Sequence, residues 1–211
     1  MTLQVALDCN DVCTALRVLE NIYPYIDVAE LGTGLMISEG TKAIREIRRE
    51  YPQLKLLSDI KLMDGGAPLA QIVLEAGADI VTVLGASDDN TILGVANAAR
   101  EFGKESFVDL ICVRDVARRA MEVDQLGVDY VGVHTSYDLR QSVGAPLQDL
   151  KALKECVRHA KTSISGGITL ESLDQILEVR PDNVIVGGGI MNAKEQRETA
   201  QEIYRLIHSA D

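Results

Sequence analysis

Eight short apolar runs alternate with longer amphipathic stretches along this chain, and that alternation limits the fold more than any other feature. The runs are "LQVALD", "DVAEL", "LKLLSDIK", "DIVTVLG", "SFVDLI", "YVGVH", "TSISGG" and "NVIVGGG". Each has the length of a strand, and the segments between them carry apolar residues at three- and four-residue spacing. Ala43, Ile44 and Ile47 mark one such helix, and Ile203, Leu206 and Ile207 mark the last. Asn192 and Glu195 are spaced as a capping box opening that last helix. A faint repeat accompanies the alternation. "EAGADIVTV" around Gly77 resembles "QLGVDYVGV" around Gly127, while "YPYIDVAEL" and "VRPDNVIVG" also set Asp just before a strand. The repeating unit is strand then helix, and no linker or low-complexity tract divides residues 1–211. Eight such units predict an α/β fold, a single-domain (β/α)₈ TIM barrel. A doubly wound open sheet is the alternative, but no GxGxxG fingerprint follows the first strand.

Composition narrows the partners. The formal net charge is −11, which leaves no basic field to attract nucleic acid or an anionic membrane. An anionic ligand must therefore be held by local features. Apolar residues make up 46 % of the chain and aromatics only 4 %, so the expected core is aliphatic. Cys9, Cys13, Cys112 and Cys156 form no CxxC pair and no Cys/His cluster, an argument against zinc. They read as reduced thiols of a cytoplasmic protein. The N-terminal "MTLQVALD" lacks the pattern of a signal peptide, and no apolar run reaches the length of a membrane span.

In a barrel, functional groups gather at the C-terminal strand ends. Here those ends are charged: Asp8, Glu30, Asp59 with Lys61, Asp109 and His134. Asp59 and Lys61 are two apart and share a face of a regular strand. They form either a register-setting ion pair or an electrostatic site in which Lys61 stabilises an oxyanion. Glu30, one strand away, makes with Asp59 a carboxylate pair suited to Mg²⁺, with Mn²⁺ as a second choice; its plain alternative is a solvated rim residue. His134 is either a satisfied core histidine or a proton carrier. His159 and His208 fall in amphipathic stretches and read as solvated. Asp64, beyond the third strand, reads on its own as an N-cap of the next helix. The glycine runs after strands seven and eight, with Gly166, Gly167, Gly188 and Gly189, would offer backbone amides to a phosphate.

Together these residues resemble a known group. "DIKLMD" matches the Asp-x-Lys-x-x-Asp signature of the orotidine 5′-monophosphate decarboxylase superfamily. "VHTSYDL" and the "GGG" ending of strand eight are most similar to its 3-hexulose-6-phosphate synthase family. The resemblance implies a Mg²⁺-dependent aldehyde-lyase acting on D-ribulose 5-phosphate and formaldehyde through an enediolate. Glu30 and Asp59 would hold the metal. Lys61, His134, Asp109 and Asp8 would serve the chemistry or orient it. It also implies a homodimer in which Asp64 reaches the partner's site, in place of the capping role. The neighbouring 3-keto-L-gulonate 6-phosphate decarboxylases typically carry Glu where Asp109 stands and Arg where Tyr137 stands, and tend to carry Arg in the loop where this chain has Gly187 to Gly189. Ser58 stands where relatives commonly have Ala, with no consequence assigned. A non-catalytic sugar-phosphate sensor is the third reading.

Overall fold

The computed structural model describes residues 1–209. Eight strands form: β1 (Thr2–Leu7), β2 (Val28–Leu31), β3 (Lys55–Leu62), β4 (Ile80–Leu84), β5 (Glu105–Asp109), β6 (Tyr130–His134), β7 (Lys161–Ser165) and β8 (Asn183–Val186). All neighbours run parallel, and β1 pairs with both β2 and β8. The sheet is therefore a closed barrel, which rules out the doubly wound alternative. The helices in chain order are α1 (Val12–Ile22), α2 (Thr33–Glu39), α3 (Thr41–Glu50), α4 (Gly66–Glu75), α5 (Asp89–Glu101), α6 (Val116–Asp124), α7 (Arg140–Val143), α8 (Leu147–Cys156), α9 (Leu170–Val179), α10 (Gly188–Met191) and α11 (Gln196–Ser209).

Two-residue periodicity sorts each strand between two cores. Leu3, Val5 and Leu7 point outward and are fully buried beneath the helices, as are Ala43, Ile44 and Ile47 of α3. Ala6, Val28, Leu57, Ile80, Phe107, Tyr130 and Ile185 form a separate cluster inside the barrel. Phe107 and Tyr130 stack there, with ring centroids 5.8 Å apart. Below this plug lies an ionic floor, where Glu105 pairs with Lys55 and Lys161. Above it the barrel opens.

The aspartates of the repeat have a shared structural role. Asp27, Asp79, Asp129 and Asp182 each precede an even-numbered strand. Their carboxylates accept the backbone N–H of Leu3, Leu56, Ser106 and Thr162, at 2.7, 2.9, 2.8 and 2.8 Å. Those donors lie at the starts of the preceding odd strands. The repeat is thus a belt of hydrogen bonds around the bottom of the barrel, opposite the charged strand ends.

Three local expectations change. Asn192 ends the short α10 and α11 begins only at Gln196, so the Asn192/Glu195 capping box does not form. The last helix restarts after a turn, because α10 closes early over the strand-eight glycines. His159 lies beyond the end of α8, where its N–H donates to Asp124. His208 is only half exposed, stacked on Tyr204 at 3.8 Å and 3.3 Å from Asp27.

Candidate active site

The open end of the barrel holds a cavity of about 870 Å³. Asp8, Glu30, Asp59, Lys61, Asp109 and His134 all line it, and so do Gly166, Gly167, Gly188 and Gly189. The strand ends bring them together because inward positions at the top of a parallel barrel face one mouth.

Lys61 reaches the site by an irregular route. The pairing of β3 with β4 shifts register between Ser58 and Leu62, and Lys61 takes a positive φ of 44°. Regular alternation therefore does not explain its meeting with Asp59. A bulge does, braced by the Lys61 N–H donating to Thr82 Oγ1 at 3.1 Å. Left-handed backbone at a lysine costs about 1–3 kcal/mol and survives where surrounding contacts enforce it.

The result is a chain of alternating charges. Lys61 Nζ lies 2.7 Å from Asp59 Oδ2 and 3.6 Å from Asp109 Oδ2. Asp109 Oδ2 in turn lies 2.9 Å from His134 Nδ1. Burial works against the Asp109 carboxylate, but His134 and Lys61 outweigh it and hold its pKa below the usual range. A carboxylate there accepts the Nδ1 proton, which leaves His134 Nε2 as the basic nitrogen. Burial likewise works against the Lys61 ammonium, yet Asp59 and Asp109 keep its pKa raised. Asp59 is fixed further by the Thr33 hydroxyl at 2.6 Å and the Thr82 hydroxyl at 3.1 Å.

Glu30 accepts from Gln4 Nε2 at 2.6 Å, and Asn183 Nδ2 donates to Gln4 Oε1 at 2.9 Å. Burial first, and then repulsion from Asp59, push the Glu30 carboxyl up to about 8. Two hard carboxylates that repel one another within one cavity suit a divalent cation, which would relieve the repulsion. Among the described residues no cluster of three His, Cys, Asp or Glu side chains forms a fuller ligand set. Water and substrate oxygens would complete the shell, as Mg²⁺ prefers.

Asp8 has no hydrogen-bond partner among the described residues. Burial raises its pKa, Asp59 adds to this, and Lys61, Arg140 and His134 oppose it. Asp64 does not join the cavity of its own chain. It is exposed and accepts the N–H of Gly65, which occupies the N-cap position of α4 in left-handed backbone, so the capping role falls away. Gly166 has φ +87°, and a Cβ there would meet the Thr135 carbonyl oxygen at 2.1 Å, so only glycine fits.

Sequence reasoning missed Gln4, Thr33, Thr82 and Arg140, all of which line the cavity. Gln4 was discoverable, since it stands four residues before Asp8 on the same strand face. Thr82 is a polar residue inside an apolar strand and carried the same signal. Arg140 carried none, because its position depends on a loop.

Comparisons with known proteins give the family. Residues 1–203 match the Orotidine 5′-phosphate decarboxylase / HUMPS family. A 3-hexulose-6-phosphate synthase of Bacillus subtilis is 46 % identical over 207 residues, 98 % of this chain and 99 % of that protein. The crystal structure of 3-hexulose-6-phosphate synthase from Salmonella typhimurium superposes with a TM-score of 0.97 at 36 % identity, covering 100 % of both chains. The 3-keto-L-gulonate-6-phosphate decarboxylase of Vibrio cholerae follows at a TM-score of 0.85 and 29 % identity, covering 100 % of this chain and 98 % of that one. Likeness that runs from end to end makes the chain a lyase-type enzyme of the Orotidine 5′-phosphate decarboxylase / HUMPS family.

Proposed function

We propose that the protein catalyses the reversible aldol reaction of D-ribulose 5-phosphate with formaldehyde, giving D-arabino-hex-3-ulose 6-phosphate. The observation that carries this reading is the Asp59–Lys61–Asp109–His134 chain, with contacts of 2.7, 3.6 and 2.9 Å, facing two glycine loops across one cavity. It offers a base and a cation beside a place for a phosphate. The 46 % identity to the Bacillus subtilis synthase supports the aldol chemistry over the alternatives.

In the synthetic direction, His134 Nε2 takes a proton from the carbon next to the ketone. The electron pair of that C–H bond becomes the C=C bond of an enediolate. Lys61 donates to the oxygen on which negative charge gathers, a preorganised contact of the kind that lowers barriers most. The enediolate carbon then attacks formaldehyde, forming the new C–C bond. The aldehyde oxygen becomes an alkoxide and recovers the proton from the His134 imidazolium. Asp109 holds the His134 tautomer and shares the Lys61 charge, while Asp8 faces the substrate hydroxyls. Glu30 and Asp59 would hold Mg²⁺ or Mn²⁺, which when bound polarises the substrate oxygens. The phosphate rests on the amides of the loops at Gly166–Gly167 and Gly188–Gly189.

The same reading makes the protein a cytoplasmic homodimer. Among the described residues no helix is long and apolar enough to cross a membrane. Met63 beside Asp64, and Leu69 and Ile72 of α4, are exposed apolar side chains suited to contact with a second copy. Asp64 would then serve the partner's cavity.

A second reading is favoured by the likeness to the Vibrio cholerae protein, at 29 % identity and a TM-score of 0.85. Loss of carbon dioxide from 3-keto-L-gulonate 6-phosphate yields the same kind of enediolate. The two are separated by incubating the protein with Mg²⁺ and each substrate in turn. Formaldehyde consumption with ribulose 5-phosphate, exceeding carbon dioxide release from the gulonate, is the expected result. The reverse order makes the decarboxylase the main activity.

A further inference from the structure

Five carboxylates and two cations, Lys61 and Arg140, line the cavity. Lys61 is committed to Asp59 and Asp109. Arg140 is not: among the described residues its guanidinium has no hydrogen-bond or ion-pair partner. The guanidinium carbon lies 3.4 Å from the centroid of the Tyr137 ring. Stacking of this kind fixes the guanidinium plane and leaves its N–H edge unspent. A half-buried arginine with free donors, in a cavity otherwise dominated by negative charge, is poised for an anion.

Its position identifies which anion. Arg140 opens α7, and Gly144 follows that helix. A Cβ added to Gly167 would come within 2.9 Å of the Gly144 carbonyl carbon. The loop that carries Arg140 therefore packs directly on the glycine loop after β7. Arg140 lines the same cavity as Asp8 at the end of β1 and the glycines after β7. Backbone amides alone would have to hold a phosphate dianion against the surrounding carboxylates. A planar guanidinium supplies both the missing charge and a bidentate fit.

We propose that Arg140 grips the phosphate of the substrate and sets the preference for phosphorylated over free sugars, with Tyr137 as its positioning residue. This rests on the reading of the ligand as a sugar phosphate. Calorimetric titration of ribulose 5-phosphate, inorganic phosphate and free ribulose, alongside kcat and KM, tests it. Loss of a charge-assisted contact predicts that Arg140→Ala weakens ribulose 5-phosphate and inorganic phosphate by at least about tenfold, with saturated kcat kept within about threefold. Any binding of free ribulose should stay unchanged. Arg140→Lys should recover part of the loss, and Tyr137→Ala should weaken phosphate binding. Unchanged phosphate binding in Arg140→Ala, or equal weakening of the free and phosphorylated sugars, overturns the proposal while turnover by the wild type stands. Wild-type protein that binds ribulose 5-phosphate through Arg140 but never converts it supports this proposal and overturns the aldol function instead.

Discussion

Replacing Asp109 with Asn removes one charge and almost no volume, so it isolates what the charged chain contributes. Asp109 is 5 % exposed, and its Oδ1 accepts the Ile111 N–H at 2.9 Å, a bond the Asn carbonyl can keep. The loss falls on Oδ2, which serves His134 at 2.9 Å and Lys61 at 3.6 Å. An amide cannot stabilise the imidazolium that forms during proton transfer, nor hold the Nδ1–H tautomer as firmly. A hydrogen bond to a charged group is worth about 1.5–3 kcal/mol. At about 1.4 kcal/mol per tenfold, that loss predicts a kcat reduced by about 10- to 150-fold. KM for ribulose 5-phosphate should move far less, since Asp109 does not belong to the glycine loops. Initial rates of formaldehyde consumption give both constants, and thermal denaturation checks that the fold persists. Asp109→Asn with a kcat within about threefold of wild type, in a folded protein, refutes the role assigned to the carboxylate.

Lys61→Ala should lower turnover by at least about a hundredfold while circular dichroism shows the barrel retained, because a preorganised donor to the oxyanion is gone. Near wild-type rates would remove Lys61 from the chemistry. Asp79→Ala should leave kcat unchanged but cost about 2–4 kcal/mol in denaturant unfolding, since it strips the Leu56 N–H, Arg48 and Lys104 of one shared acceptor. Burial opposes the Asp79 carboxylate, but Lys104, the Leu56 N–H and Arg48 still hold its pKa below the ordinary value. Its stabilisation is therefore complete above the unfolded carboxylate pKa of about 3.9 and is lost as pH falls through the lower folded value. Asp79→Asn should flatten that acid limb of the stability curve, and an unchanged limb would contradict the assignment. Gly166→Ala should lower the melting temperature and weaken phosphate binding, because φ +87° and the Thr135 oxygen leave no room for a methyl group; a variant that binds and melts as wild type would show that the loop yields.

The barrel was readable because eight strand–helix units repeat and four aspartates punctuate them. Those aspartates act locally, each bonding to the start of the preceding strand, so their pattern survives in the sequence. The charged strand ends were readable for a similar reason: inward positions recur every two residues, and Asp8, Glu30, Asp109 and His134 obey that period. Lys61 joined the same group by a bulge that periodicity does not encode. The short α10 defeated the capping box at Asn192, since its spacing fits a helix start that the chain reaches only at Gln196. Arg140 was invisible because its place depends on how the loop after β6 folds onto the loop after β7. Among the described residues Ser58 Oγ is buried without a hydrogen-bond partner, and nothing in the structure explains it.

The central claim is that His134 and Lys61 together turn ribulose 5-phosphate into a nucleophilic carbon. Solvent exchange in D₂O, with Mg²⁺ present and formaldehyde left out, examines that step alone by proton NMR. Wild-type protein should place deuterium on the carbon next to the ketone, and Lys61→Ala should not. Ribulose 5-phosphate recovered from the wild-type protein without deuterium at that carbon would contradict the account.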